Sequence, residues 1–101
     1  MPIHFEELWT KAERLHQDYI KNETGVSIAD ELQLKVNLYR AISQKEGIPE
    51  EEKSELQSRT IGEILLTLTK LSLKDNLDVY KALSIAMQYR SIEHFAVKHS
   101  T

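Results

Sequence analysis

Two glutamates in this chain are placed where a carboxylate can do more than dissolve the surface. Glu31 precedes Lys35 by one helical turn, in the acid-before-base order that favours pairing, and Glu63 follows Arg59 by one turn. Glu31 and Lys35 both fall inside an apolar arc with Leu32, Val36 and Tyr39. Charged groups so placed must pair with each other or face a pocket. Two readings follow, a structural ion pair or a charged ligand site. For Glu63 the plain reading is a solvated pair with Arg59. Other chemistry is thin. His4, His16, His94 and His99 form no pair at three or four residues, and neither Glu93-His94 nor His16-x-Asp18 is a metal spacing. They read as solvated or capping groups. No Gly-rich phosphate loop and no Ser-His-acid nucleophile motif is present.

Four helices must position these groups. The first spans about Ile3 to Lys21, with Phe5, Leu8, Trp9, Ala12, Leu15, Tyr19 and Ile20 recurring at steps of three and four. Asn22-Glu23-Thr24-Gly25 breaks it. Ser27 then reads as an N-cap, with Asp30 as the acidic half of a capping box. The second helix spans about Ile28 to Lys45, and Leu34, Leu38, Ala41 and Ile42 widen its apolar face beyond what one small bundle covers. Gly47 is a stop signal. Pro49 and the acids Glu50, Glu51 and Glu52 open the third helix, where carboxylates complement the helix dipole rather than bind metal.

That helix continues to about Lys74, with a main stripe of Ile61, Ile64, Leu65, Leu68 and Leu71 and further apolar residues on its far side. Gly62 within it is expected to mark a close helix–helix approach. A turn at Asp75-Asn76-Leu77 leads into a fourth helix from about Asp78 to His94 or beyond, with a tail to Thr101. Trp9, Phe5, Tyr39, Tyr80, Tyr89 and Phe95 supply aromatic material for the core or a subunit interface.

Composition agrees with this layout. The 101 residues suit a single helical domain over 1–101, and only 3 Gly and 2 Pro interrupt helix formers. Absence of cysteine removes disulfides, thiolate nucleophiles and zinc–cysteine sites, which fits a cytoplasmic protein. No signal-peptide pattern or membrane-spanning apolar run is present, so no membrane partner is expected. The formal net charge of -3, with both signs interspersed, gives no basic stripe for nucleic acid.

The run Arg59-Thr60-Ile61-Gly62-Glu63-Ile64-Leu65-Leu66-Thr67-Leu68-Thr69-Lys70-Leu71, followed by Asp75-Asn76-Leu77-Asp78-Val79-Tyr80-Lys81-Ala82-Leu83, resembles the C-terminal half of the MazG-like all-α nucleotide pyrophosphohydrolases. The resemblance covers roughly residues 27–93 and rests on helix layout. In that family one helix carries Glu-x-x-Glu and the next Glu-x-x-Asp, and together they hold magnesium against a nucleotide triphosphate. Here Glu31 matches the first acid while Leu34 stands at the second. Thr60 stands at the third, and Glu63 replaces the aspartate.

The resemblance implies two alternatives. One is a diverged, self-associating helical bundle without catalytic activity. The other is a Mg2+-dependent nucleoside triphosphate pyrophosphohydrolase, with Glu31 and Glu63 as metal ligands aided by Asp30, and with Lys35 and Arg59 on the substrate phosphates. The fold expected is an all-α, four-helix antiparallel bundle assembled into a homo-oligomer, a dimer by preference.

Overall fold

A computed structural model describes residues 4–17 and 20–99, with side chains described through Ile92. Ile3, Asp18, Tyr19, Thr101 and the side chains of His94, Phe95 and His99 lie outside the described residues. The described residues form four α-helices and no strand. They are α1 (Phe5–His16), α2 (Gly25–Gln44), α3 (Glu50–Lys74) and α4 (Val79–His99), with a short 3-10 turn over Ile20–Asn22.

Local chemistry sets most helix ends. α2 starts earlier than the sequence pattern predicts, because Thr24 is its N-cap. The Ser27 amide donates to Thr24 Oγ1 at 3.0 Å, and the Thr24 amide donates back to Ser27 Oγ at 3.0 Å. Ser27 is thus the second half of a capping box. Pro49 precedes α3, whose first turn carries Glu50, Glu51 and Glu52 at the positive end of the dipole. At the other end Asn76 takes a left-handed φ of 54°, and the Leu77 amide donates to the Ser72 carbonyl at 2.9 Å, a Schellman closure. Asp78 then caps α4, its Oδ1 accepting from the amides of Tyr80 and Lys81 at 3.1 Å each.

α3 is the central element, with α2 packed along it and α1 and the 3-10 turn against it. Early positions of α2 meet late positions of α3: Glu31 contacts Lys70, Lys35 contacts Glu63 and Thr67, and Ser43 contacts Gln57. Ile28 is wholly buried, and Trp9 is buried beside Phe5 with ring centroids 5.9 Å apart.

The apolar stripe read from the sequence holds in part, with Ile64, Leu68 and Leu71 half-buried, but the most buried positions of α3 are others. Ile61 and Leu65 are exposed, whereas Thr60, Thr67, Thr69 and Ser72 are buried. Each buried hydroxyl donates to a carbonyl of its own helix: Thr60 to Leu56, Thr67 to Glu63, Thr69 to Leu66 and Ser72 to Thr69. The donor is thereby satisfied at little cost, and small side chains let neighbouring helices come close.

α4 stands apart. Its described side chains from Tyr80 to Ile92 are all exposed, including Leu83, Ile85, Met87 and Tyr89. The Cα radius of gyration is 17.1 Å, against about 13 Å for a compact chain of this length.

Candidate functional site

The α2–α3 contact carries an alternating line of charge. Lys70 Nζ lies 3.2 Å from Glu23 Oε1 and 3.1 Å from Glu31 Oε2. Lys35 Nζ lies 3.7 Å from Glu31 Oε1 and 3.4 Å from Glu63 Oε2. The order is Glu23, Lys70, Glu31, Lys35, Glu63, with both ammoniums held between carboxylates. Helical geometry dictates part of this order: Glu31 and Lys35 are one turn apart on α2, as are Glu63, Thr67 and Lys70 along one side of α3.

Hydroxyls complete the cluster. Lys35 donates to Thr67 Oγ1 at 2.6 Å, and that hydroxyl directs its own proton to the Glu63 carbonyl. His16 Nδ1 lies 2.9 Å from Thr69 Oγ1. The Thr69 proton points to the Leu66 carbonyl, so the imidazole N–H is the donor in that contact. Among the described residues one polar atom is left over: Glu23 Oε2 is buried without a hydrogen-bond partner.

The electrostatics follow from burial and neighbours. Burial works against the charged form of Lys70, but hydrogen bonds from its ammonium to Glu31 and Glu23 outweigh it, so its pKa rises. Burial, and after it the Lys70 charge, lower the His16 pKa, although Glu23 and Glu31 pull the other way. Both effects favour a cationic lysine beside a neutral imidazole at neutral pH.

Glu31 and Glu63, the two acids singled out from the sequence, thus meet at one ammonium. The cation beside Glu63 is Lys35 rather than Arg59. Asp30 is exposed on another side of α2. Arg59 joins Lys35, Glu63, Thr60, Leu38 and Ile42 around an open groove of about 390 Å3 between the same helices. Lys70 and Glu23 escaped sequence reasoning, because the pairing depends on which turn of α3 meets the start of α2. The only available signal was Lys70 lying one turn past Thr67 and Leu66.

Magnesium requires a near-octahedral shell of oxygens. Among the described residues no three His, Asp or Glu side chains gather to hold a metal ion. The glutamates that converge already clasp ammonium groups. A magnesium ion at Glu31 and Glu63 would have to displace Lys35 from between them. Among the described residues no helix is long and apolar enough to cross a membrane.

The fold and this cluster define an all-α protein with a line of alternating charge along its central helix pair. Compared with protein-family models, curated proteins and solved structures, the chain finds no match.

Proposed function

We propose that this chain is a self-associating helical-bundle protein, a diverged relative of the MazG-like scaffold that works as an oligomer without catalysis. In this reading the antiparallel four-helix bundle is completed by assembly, with a dimer as the smallest unit. The observation that carries it is surface area. The chain exposes 8386 Å2, whereas a compact monomer of 11.7 kDa exposes about 5,900 Å2. The excess of roughly 2,500 Å2 is in the range that permanent subunit interfaces cover. Much of it is apolar: Leu83 is 59% exposed, Met87 62%, Tyr89 66% and Ile92 65%. Water is a poor neighbour for so many large side chains on one helix.

The cysteine-free composition suits the cytoplasm, where thiol oxidation plays no structural part. Light scattering coupled to size exclusion tests the reading. A mass of twice 11.7 kDa or more at micromolar concentration is the expected result. A monomer across that range overturns it.

A second reading, the magnesium-dependent pyrophosphohydrolase, has one observation in its favour: Glu31 and Glu63 converge beside a groove that also holds Arg59. Against it stand Leu34 and Thr60 at two acidic positions, and Lys35 between the surviving acids. Pyrophosphate release is measured on ribo- and deoxyribonucleoside triphosphates, with magnesium and with manganese. Turnover lost in Glu31→Ala and Glu63→Ala would establish it, and a folded oligomer that turns over no nucleotide removes it.

A further inference from the structure

An open apolar groove runs between α1 and α3. Phe5, Leu8, Trp9, Ala12, Leu65 and Leu66 line it, and its volume is about 210 Å3. Gly62 forms part of its floor. A Cβ added there meets nothing within 4 Å, so among the described residues none makes the close helix contact expected at this glycine. A groove that lacks a side chain at its centre is shaped to admit another helix at short range. Phe5 and Leu8 remain about half exposed on its rim, at 51% and 48%.

The chain also contains a helix without a groove. α4 has no covered side chain from Tyr80 to Ile92. It leaves α3 through a turn of four residues, 75–78. Were α4 to fold back along α3 from that turn, Leu83 would come level with Lys70, Met87 with Leu66, and Ser91 with Gly62. A serine and a glycine would then come level at the groove. Charge agrees as well. From Val79 to Ile92, α4 carries Lys81 and Arg90 and no acid, while α1 bears Glu6, Glu7 and Glu13 against Lys11 and Arg14.

We infer that α4 of one copy occupies the α1–α3 groove of a second copy, and that the exchange is reciprocal. Such a swap keeps the contacts of a closed bundle and moves them between chains. It accounts for an uncovered helix and an uncovered groove with one interface, and two exchanged helices bury area on the scale of the excess surface. The inference rests on the self-association proposed above and specifies its geometry.

Absence of cysteine makes the test clean. Two full-length variants, Leu66→Cys and Met87→Cys, are refolded together and oxidised, with a size tag on one of them. Each chain holds a single thiol, so a disulfide between the two variants forms only across chains. The expected product is the Leu66→Cys to Met87→Cys heterodimer, in excess over either homodimer. A light-scattering dimer that yields mainly Met87→Cys homodimers, or no disulfide, overturns the exchange and leaves self-association standing. A monomer overturns both. As an independent check, Gly62→Leu fills the groove floor. It should raise the dimer dissociation constant roughly tenfold or more while helicity is kept. An unchanged constant in a folded Gly62→Leu protein also overturns the exchange.

Discussion

Glu31 on α2 and Glu63 on α3 reach the same ammonium, that of Lys35, at 3.7 and 3.4 Å. The first contact lies within α2 at one turn, and the second crosses from α2 to α3. The lysine lies on α2, and its third contact is the wholly buried Thr67 hydroxyl. Lys35→Met removes the shared cation and leaves Thr67 without its donor. Because the Glu63 side chain is 52% exposed, water compensates much of the loss. The expected cost is about 1 kcal/mol, read from the urea midpoint. The difference should shrink in about 1 M salt, where exposed charges are screened. Identical midpoints at low salt would show that the clasp contributes nothing.

Lys70 has more at stake. Its side chain is 14% exposed and sits between Glu23 and Glu31. Lys70→Met strands two half-buried carboxylates, one of which already has an oxygen without a partner. We expect a loss of about 2 kcal/mol, below the cost for a fully buried pair because both acids keep some water. Adding Glu31→Gln to Lys70→Met should cost less than the sum of the single changes, since the two residues share one interaction. Strict additivity in that cycle would refute the coupling.

Stability should also depend on pH in a defined direction. The unfolded imidazole of His16 takes up its proton near the ordinary value of 6.5, and the folded one only at lower pH. Between these values the unfolded chain binds more protons, so stability falls as pH drops below about 6.5 and carries no such penalty above it. The groups facing this imidazole are Lys70, Lys35, Glu23, Glu31 and the Thr69 hydroxyl. His16→Gln should flatten the slope of stability against pH just below 6.5. An equally steep slope in that variant would assign the effect to other groups. Lys70 acts at the opposite end: its contribution is whole below its ordinary 10.5 and is lost as pH rises through its raised folded value.

Gly47 takes a φ of 83°, and an added Cβ there meets no atom within 4 Å. Any penalty for a side chain is therefore one of backbone conformation. Gly47→Ala should cost about 1 kcal/mol, and Gly47→Asn clearly less, because asparagine tolerates the left-handed region. Thermal melts of the two variants decide it, and equal melting temperatures would contradict the backbone account.

The helices were legible in the sequence because their punctuation is local: Pro49 before α3, Gly47 after α2, and the turn at 75–78. The cap of α2 was misplaced by three residues, since Thr24 and Ser27 are both good caps and only their mutual bonding tells which one leads. The stripe on α3 is incomplete for a deeper reason, since Ile64, Leu68 and Leu71 are half-buried but Ile61 and Leu65 are not. Periodicity ranks leucine and isoleucine as core, but a threonine whose hydroxyl bonds its own helix buries as readily, and Thr60, Thr67 and Thr69 do so. Glu31 and Lys35 were visible as a pair one turn apart. Their shorter partners across the interface, Lys70 and Thr67, depend on how far α2 is displaced along α3, which no local pattern encodes.

That displacement is where the hydroxyl-lined face of α3 has its consequence. Branched apolar side chains that interlock act as teeth and hold two helices at one height. On the side of α3 turned to α2, Thr60 and Thr67 are short, and their hydrogen bonds close onto α3 itself, while Thr69 faces His16 of α1. Such a face is smooth and grips α2 weakly along the axis. The alternating charges supply the missing teeth, because sliding α2 by one turn would set Lys35 level with Lys70 and leave like charges together. In this protein electrostatics acts as the ratchet, and packing as the rail.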